Sequence, residues 1–409
     1  MRVLLLLPTT TYRTQAFMEA AERLGIEVVA ASEKASTLAD KNPSGLMTLD
    51  FLNPEASART VRQFSKKFPI NAVIPVDEDT AVVAAAIGKE LSLPHNSIEA
   101  AYAARNKHRM RQLLHDANAP IPDFQLFSFN DELEEIAHSV KYPCVLKPLF
   151  LSASRGVIRA DNPQEFVDAF CRLENLLQEP ELIERGREAS RQFLVEQFIP
   201  GDEVALEGLM VNGELQVLAL FDKPDPLDGP YFAETIYVTP SRISAELQSE
   251  IVKVTAKAAK ALGLREGPVH AELRINDQGV WILEIAARSI GGLCSRTLRF
   301  GAGIALEDLI LRHALGLELD SMERERQPAG VMMIPVPRAG TFKAINGLDD
   351  ARAVPCIEEV KITAHFKQQV RPLPEGSIYL GFIFSRAETP EQVEAALREA
   401  YSRLEFDIN

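Results

Sequence analysis

Two glutamates on adjacent predicted strands give the strongest chemical signal in the sequence. In VHAELRI, two-residue alternation places His270 and Glu272 on one face of a strand. A hairpin centred on Gln278, within the NDQG turn, sets Glu272 roughly opposite Glu284 of the following strand, VWILEIAA. Two carboxylates directly across a strand pair repel each other, and a divalent cation compensates that repulsion. Carboxylates with room for water and phosphate oxygens favour magnesium.

A second interpretation of this acidic hairpin needs no metal. The two glutamates can diverge into solvent as surface residues, or they can pair with Arg274 and Arg288. Alternation puts Ile282, Glu284 and Ala286 on one face, and Arg288 joins them if the strand continues. The hairpin alone leaves both interpretations open.

Two lysines are candidates for binding phosphate. Lys147 ends the apolar strand CVLK and precedes a loop of small residues that includes Ser154 and Gly156. Such loops let backbone N–H groups approach phosphates, and the lysine adds a point charge. The alternative is an ordinary strand terminus. Lys107, in RNKHRMRQLL, would on its own be a solvated helix residue.

A strand that ends at a Pro-Gly turn is a candidate adenine site. Glu196 to Ile199 close the apolar strand in FLVEQFIPGDEVALEG. Backbone groups flanked by Phe198 and Ile199 are suited to the hydrogen-bonding edge of adenine, and Glu203 beyond the turn is suited to ribose hydroxyls. The alternative is a plain β-turn with a carboxylate in solvent.

The elements that position these residues indicate an α/β (α+β) protein. Short apolar strands alternate with helical stretches over the first hundred residues, which is the βαβ pattern of an open parallel sheet. Asp77 to Asp79 follow one of these strands, and we expect them to cap the next helix rather than bind a ligand. The predicted units are an N-terminal βαβ domain (1–104), a linker helix with a lid subdomain (105–200), a catalytic β subdomain (201–325) and a C-terminal α/β subdomain (326–409).

Composition narrows the class of protein. The chain has 409 residues and a formal charge of −14, with no lysine- and arginine-rich run, so we expect no nucleic-acid partner. The apolar run at its start is too short for a signal peptide or a spanning helix, so we expect no membrane partner. The four cysteines are scattered without CxxC spacing, which fits a reducing cytoplasm.

The order of these motifs resembles the ATP-grasp superfamily across about residues 1–320. NKHRMRQLL, CVLKPLFLSASRGV, VEQFIPGDEVALEG, HAEL and LEIAAR follow one another as they do in that family. The resemblance implies the ATP-grasp fold, with ATP and Mg²⁺, or Mn²⁺ in its place, as cofactors. It assigns the phosphates to Lys107 and Lys147, adenine to 196–199, ribose to Glu203, and the metal to Glu272 and Glu284.

One departure and one further segment refine the resemblance. Many family members have an asparagine two residues after the second metal glutamate, where this chain has Ala286. FAETIYVTPS and EIAARSIGGL resemble the L-amino acid ligases that make dipeptides, of the bacilysin-synthesis type. That resemblance places Glu234 near the substrate amino group, and it implies roomier side-chain space where Gly292 replaces a tryptophan. The other residues it implies are Arg288 and Gly291 at the phosphorylated intermediate, with Tyr237 and His270 lining the substrate site.

The expected activity is an ATP-dependent ligation of a carboxylate and an amine through an acyl phosphate. The expected small-molecule substrates are ATP and two L-amino acids, and homodimers are common in the family. Two rivals stay open. One is a carboxylase or purine-pathway enzyme of the same superfamily, and the other is a regulatory protein that binds nucleotide without catalysis.

Overall fold

The computed structural model describes residues 1–36, 41–319 and 321–409 and has the predicted mixed α/β architecture. Its first part is an open parallel sheet in the order β3-β2-β1-β4. The strands are β1 (Arg2–Leu6), β2 (Glu27–Ser32), β3 (Leu46–Thr48) and β4 (Ala72–Pro75), and the helices are α1 (Thr14–Arg23), α2 (Pro54–Ser65), α3 (Ala81–Leu91) and α4 (Ile98–Arg105).

The apolar run in β1 is buried on both faces, as the strands of parallel sheets usually are. Val3 and Leu5 pack in one core with Phe17 of α1, whereas Leu4 and Leu6 pack in another beneath α2 and α3. The carboxyl ends of β1 and β4 therefore point toward the rest of the chain.

The lid is a four-stranded antiparallel sheet with helices on one side. Its order is β5-β8-β6-β7. The strands are β5 (Phe124–Ser128), β6 (Cys144–Pro148), β7 (Ile158–Ala160) and β8 (Gln192–Gln197), and the helices are α5 (Lys107–Asp116), α6 (Leu133–Ser139), α7 (Pro163–Leu177) and α8 (Pro180–Gly186). Helix α5 leads into this unit, and Asn106 caps it by accepting a hydrogen bond from Arg109 N.

An eight-stranded antiparallel sheet forms the centre of the molecule, in the order β13-β12-β9-β10-β11-β14-β18-β16. The strands are β9 (Asp202–Val211), β10 (Glu214–Lys223), β11 (Ile236–Thr239), β12 (Gly267–Asn276), β13 (Gly279–Ala286), β14 (Ala329–Ile334), β16 (Ile357–Ile362) and β18 (Gly381–Arg386), and the helices are α9 (Ala245–Leu262) and α10 (Leu306–Ala314). Helix α9 is capped by Ser244 and ends at Gly263 in the left-handed region, φ +79°.

The C-terminal segment contributes to two sheets. Three of its strands extend the central sheet, so that sheet is continuous across residue 325, where the sequence predicts a domain boundary. The rest form a small sheet, β17-β15-β19. Its elements are β15 (Gly340–Asn346), β17 (Gln369–Val370), β19 (Glu405–Ile408), α11 (Leu348–Arg352) and α12 (Pro390–Ser402).

The turn between lid and central sheet requires a glycine. Gly201 has φ +122°, and a Cβ there would lie 2.1 Å from the carbonyl oxygen of Ile275 on β12. A side chain would push β8 away from the hairpin. Across the described ranges, no helix combines the length and the apolar character that a membrane crossing requires.

Candidate active site

A cavity of about 350 Å³ lies where the lid, the central sheet, the N-terminal sheet and the C-terminal segment meet. Almost all of the site residues predicted from the sequence lie on its wall, although they come from two of the predicted units, 105–200 and 201–325. They are Lys107, Lys147, Ser154, Glu196, Phe198, Ile199, Glu203, Glu234, Tyr237, His270, Glu272, Glu284, Arg288, Gly291 and Gly292.

The facing glutamates pair as predicted, but for a different geometric reason. Glu272 of β12 lies opposite Glu284 of β13. The turn is tighter than a hairpin centred on Gln278, because Asn276 pairs directly with Gly279. A β-bulge between Leu273 and Glu272 then shifts the pairing by one residue, and this shift brings Glu272 opposite Glu284. Leu283 is the extra residue at this irregularity.

The irregularity reverses part of the predicted alternation. Ile282 is only 1% exposed and packs in the core beneath the sheet, so the expectation that it shares a face with Glu284 is wrong. Leu283 lines the cavity instead, and its carbonyl accepts a 2.6 Å hydrogen bond from Arg111 Nη2. Burial raises the pKa of Glu272. Burial alone would also raise the pKa of Glu284, but the positive charges of Lys107 and Lys147 outweigh burial and lower that pKa.

Lys107 is buried at the start of α5 and does not lie on a solvated helix face. Its ammonium donates to the carbonyl of Leu151 at 2.9 Å and lies 3.2 Å from the carboxylate of Glu284. Burial is the largest single effect and lowers the pKa of Lys107, but the combined attraction of Glu284, Glu78 and Glu272 raises it overall. A predicted phosphate ligand thus lies beside a predicted metal ligand.

The adenine segment is held by an ion-pair group that the sequence did not reveal. Arg111 makes two hydrogen bonds to the Glu196 carboxylate, at 2.7 and 3.1 Å, and Lys147 Nζ lies 2.7 Å from it. Burial alone would raise the pKa of Glu196, but these two cations lower it to about 2. The Glu196 side chain is therefore fully occupied by protein partners.

Two backbone groups of the adenine segment are also engaged. The N–H of Phe198 donates to the carbonyl of Pro143 at 3.0 Å, and the carbonyl of Ile199 accepts from Arg274 at 2.9 Å. Arg274 also bonds Glu203 at 3.1 Å and is buried, so it is not a surface partner of the acidic hairpin. These two groups are therefore taken by protein partners, and Phe198 and Ile199 also contribute apolar surface to the cavity wall.

The small-residue loop after Lys147 turns through left-handed residues at Ala153 and Ser154, with φ near +55°. Ser154 lies on the cavity wall, whereas Gly156 does not. The N–H of Gly156 donates to the carbonyl of Pro374 at 2.8 Å, and a Cβ there would meet Leu173 at 3.0 Å. The prediction that Gly156 offers its N–H to a phosphate is therefore wrong for this geometry.

Lys223, at the end of β10, was missed by sequence analysis and sits among three acids. Its ammonium lies 2.8 Å from Glu203 and 3.6 Å from Glu272, and it is hydrogen-bonded to Glu234. Carboxylate oxygens of these three acids lie within 4.8 Å of one another, a spacing that suits a metal. Lys223 lies among these acids and offsets part of their negative charge, which disfavours a cation between them.

Glu78 was assigned to helix capping, and that assignment is wrong. Glu78 is 6% exposed and lines the cavity, and neither oxygen of its carboxylate accepts a hydrogen bond from the part of the chain that the structure describes. Burial and the neighbouring Glu284 raise its pKa to about 6. Its position after the end of a parallel strand is the signal that could have identified it. Uncompensated carboxylates are the donor set that a hard divalent cation takes.

Arg288 faces the cavity although β13 ends at Ala286. It reaches the site from the following loop, so its placement does not depend on strand alternation. Its Nη2 lies 3.7 Å from Glu78, and its Nη1 donates to the carbonyl of Ser289 at 3.0 Å. The guanidinium therefore adjoins a buried carboxylate that accepts no hydrogen bond within the described ranges.

The remaining wall has polar and apolar parts. Tyr237 donates to Glu234 Oε1 at 2.8 Å, and burial raises the pKa of Glu234. His270 lies with Nδ1 3.2 Å from the buried Glu207, and burial lowers the pKa of this histidine. The sequence missed an apolar part of the wall: Tyr12, Met333, Ile378 and Tyr379.

The two glycines of the 288–292 loop differ. A Cβ at Gly292 would meet the ring of Phe382 at 3.0 Å, and its φ is +59°, so a side chain there points at a buried ring. A Cβ at Gly291 would meet only Arg288, at 3.9 Å. Space beside Gly292 is thus limited by Phe382, which corrects the expectation that a glycine at 292 by itself makes the site roomier.

Sequence comparison finds three family matches along the chain. Residues 18–95 match the ATP-grasp N-terminal domain, residues 140–297 match the ATP-grasp domain, and residues 332–409 match the L-amino acid ligase C-terminal domain 2. Together they take in strands β2, β3 and β4 of the N-terminal sheet, most of the cavity wall and most of the C-terminal segment.

Individual proteins agree with these matches. The alanine–anticapsin ligase of Bacillus subtilis is 24% identical over 307 residues, which are 71% of this chain and 64% of that protein, just under two thirds of its length. The crystal structure of an L-amino acid ligase from Bacillus licheniformis has 28% identity and a TM-score of 0.84, and it covers 100% of this chain and 98% of its own.

A more distant structure shares the fold alone. Carboxyaminoimidazole ribonucleotide synthase from Aspergillus clavatus, solved with ATP, has 19% identity and a TM-score of 0.73, with 99% of each chain covered. The fold, the order of the motifs and the family matches lead to one conclusion. This chain carries the ATP-grasp N-terminal domain and the ATP-grasp domain, followed by a C-terminal domain that matches the one of L-amino acid ligases, and this places it in the ATP-grasp superfamily.

Proposed function

We propose that this protein joins two L-amino acids into a dipeptide, with ATP as the source of energy. The observation that carries the proposal is the single cavity in which Lys107, Glu284, Glu78 and Arg288 meet. Cations for phosphate, carboxylates for a metal and a guanidinium for developing negative charge are the groups that acyl phosphate chemistry needs.

ATP would lie with its base against the adenine segment, residues 196–199, and with its phosphates toward Lys107 and Lys147. Phe198 and Ile199 provide apolar walls for the base. Glu203 holds hydrogen bonds from Lys223 and Arg274, and burial is outweighed by these cations, which lower its pKa. A carboxylate kept ionised in this way suits ribose hydroxyls. Lys107 places the γ-phosphate beside the acidic hairpin.

Magnesium fits the acidic groups of this cavity. Glu272, Glu284 and Glu78 would hold it, since the first two face each other and the third has no hydrogen-bond partner on either oxygen. A bound magnesium ion would offset the negative charge of the phosphates. Ala286 offers no ligand atom, so water would complete the coordination.

In the first step a carboxylate oxygen of one amino acid attacks the γ-phosphorus of ATP, and the bond to the β-phosphate oxygen breaks. ADP and an acyl phosphate result. Glu234 would hold the ammonium group of that amino acid, because Lys223 and Tyr237 both donate to Oε1 and leave Oε2 for the substrate. Tyr12, Met333 and Tyr379 favour an uncharged side chain.

In the second step the amine of another amino acid attacks the acyl carbon. The carbon–oxygen bond to phosphate breaks, phosphate leaves, and one proton is released as the amide forms. Arg288 would donate hydrogen bonds to the oxyanion and the departing phosphate, which are the charges that grow in the transition state. Both steps proceed without a side-chain nucleophile.

The test is a phosphate-release screen over all pairs of amino acids, with mass spectrometry of the products. We expect ADP, phosphate and a dipeptide in equal amounts for at least one pair. Bicarbonate and formate serve as parallel acids. Turnover with these and not with amino acids would contradict the proposal in favour of a carboxylase-type activity, and ATP binding without any turnover would indicate a regulatory protein.

A further inference from the structure

Arg13 lies outside the cavity wall and connects two of the segments that form it. It immediately precedes α1, and its side chain is among the largest that are fully buried, at 1% exposure. Its neighbour Tyr12 lines the cavity, and Arg13 points the other way, into the protein. A buried guanidinium is costly unless several acceptors satisfy it, so its contacts indicate what it does.

The acceptors of Arg13 come from three separate parts of the chain. Nη1 donates to the hydroxyl of Ser289 at 2.6 Å and to the carbonyl of Val76 at 3.3 Å. Nη2 donates to Glu307 Oε1 of α10 at 3.0 Å. The hydroxyl of Ser295 donates to the same carboxylate oxygen at 2.7 Å, which fixes the side of Glu307 that faces the arginine.

Two of these acceptors adjoin Glu78 and Arg288. We call the part of the cavity that contains these two charged groups the reacting end. Val76 lies two residues before Glu78, and Ser289 directly follows Arg288. Glu78 and Arg288 lie 3.7 Å apart in the cavity, on two loops that have no strand pairing with each other in the described ranges. The Arg13 guanidinium bridges those two loops from behind, so it sets the separation of the groups that they carry.

Stability alone gives a poor account of this arginine. Helix α1 already packs on α10 through Phe17, Leu309 and Ile310, and Arg23 makes a second ion pair with Asp308 of α10, at 2.7 and 3.2 Å. Apolar replacements of buried ion pairs are often neutral or stabilising. A planar group that reaches three acceptors at once is what positioning requires.

We propose that Arg13 is a positioning residue for ligation, which holds the Glu78 and Arg288 loops at the separation that the chemistry needs. The inference rests on the proposed function. None of the contacts of Arg13 reaches Arg111, Lys147 or Glu196, which form what we call the nucleotide end of the cavity. The nucleotide end is therefore independent of Arg13. Small displacements of catalytic groups cost up to about 100-fold in rate.

The experiment compares Arg13→Met, Arg13→Lys and Ser289→Ala in the full chain, with Arg23→Met as the matched control on the same pair of helices. We expect Arg13→Met to lower kcat about 10- to 100-fold with the KM for ATP within about twofold of wild type. Arg13→Lys should keep a melting temperature close to that of wild type but should lose kcat, because an ammonium can pair with Glu307 without bridging Ser289 and Val76. Arg23→Met should keep wild-type kcat.

The outcomes separate this inference from the proposed function. Wild-type protein that makes no dipeptide overturns the function. A wild-type enzyme that ligates, with kcat unchanged in both Arg13→Met and Ser289→Ala, overturns the positioning role. So does an Arg23→Met variant that loses as much kcat as Arg13→Met, or an Arg13→Lys variant that regains kcat and stability together. If Arg13→Met fails to fold, Ser289→Ala decides, with an expected fall in kcat of about threefold to tenfold.

Discussion

The two ends of the cavity solve the same electrostatic problem in opposite ways. At the nucleotide end, Glu196 is buried with Arg111 and Lys147, and its pKa falls to about 2. At the reacting end, Glu78 is buried without a hydrogen-bond partner, and its pKa rises to about 6. The first carboxylate is held by two cations of the protein, whereas the second accepts no hydrogen bond within the described ranges, although Arg288 lies 3.7 Å from it.

This difference indicates which parts of the site are complete before ligands bind. Ion pairs at the nucleotide end fix the lid strands and leave apolar surface for a base. Unsatisfied carboxylates at the reacting end destabilise the empty protein and favour a cation, because a group that binds only the folded state stabilises it. Strain of this kind at a site is a reason to expect function there.

Glu284→Gln should produce the largest loss in activity. An amide fits the strand but holds a divalent cation poorly, so we expect ligation to fall by about 1000-fold or more, which corresponds to roughly 4 kcal/mol. The change removes the carboxylate that pairs with Lys107, but it also relieves the repulsion with Glu272, and Lys107 keeps its hydrogen bond to the Leu151 carbonyl, so we expect folding to be retained. Steady-state kinetics at several magnesium concentrations measures the effect, and Asp277→Asn in the exposed hairpin turn is the control. Wild-type rates at ordinary magnesium would contradict the metal assignment.

Arg288→Lys should produce the second largest loss in activity. It tests whether the reacting end affects turnover rather than the binding of ATP. A lysine keeps the charge but cannot give two parallel hydrogen bonds, so we expect turnover to fall about 100- to 1000-fold, or roughly 3 to 4 kcal/mol. ATP affinity, measured by titration, should stay close to wild type. If affinity falls in step with turnover, Arg288 belongs to the nucleotide end and the comparison of the two ends fails.

The sequence predicted the parts of this site that depend on local pattern. Glu272 and Glu284 belong to one hairpin, so alternation and a short turn were enough to bring them together. Lys223 and Glu78 were missed because their significance depends on segments far away in the chain. An acid at the start of a helix more often caps it, and only its place on the cavity wall, 3.7 Å from Arg288, gives Glu78 another role.

The fold shows the same division. Alternating strands and helices predicted the N-terminal parallel sheet, since each βαβ unit is local. The joining of β14, β18 and β16 to the central sheet was not predictable, because strand pairing across long separations leaves no periodic trace in either strand. The irregularity at Leu283 was missed for a related reason: an extra residue in a strand looks like any other residue until its partner strand is placed.

Glu196→Gln should have the larger effect on stability. It leaves Arg111 and Lys147 buried without a carboxylate, and breaking a buried pair in this way costs about 3 to 5 kcal/mol. Because the folded pKa of Glu196 is lowered, its contribution is present above the ordinary value and is lost as the pH falls toward about 2. Chemical denaturation of the variant and wild type should therefore differ by a constant amount above about pH 5, and by less toward pH 3. Glu188→Gln, an exposed change in the same region, is the control.

Glu78→Gln should change the stability of the fold least, and, in contrast to Glu196→Gln, it should stabilise the protein. The folded pKa of Glu78 is raised to about 6, so the folded state holds this proton more tightly than the unfolded chain does. Its favourable protonated form is present at low pH and is lost as the pH rises through about 6, so above that pH the charged carboxylate destabilises the fold. A shift of this size corresponds to roughly 2 kcal/mol.

In EDTA at pH 8 the Glu78→Gln variant should melt at a higher temperature than wild type, and this difference should disappear near pH 4.5. Added magnesium should narrow the difference by stabilising wild type more. Asp79→Asn is the matched control: that acid pairs with Arg105 and Arg185, so its loss should lower the melting temperature at pH 8. If Glu78→Gln melts below wild type in EDTA at pH 8, Glu78 is a satisfied structural carboxylate and the two ends of the cavity do not differ in the way described.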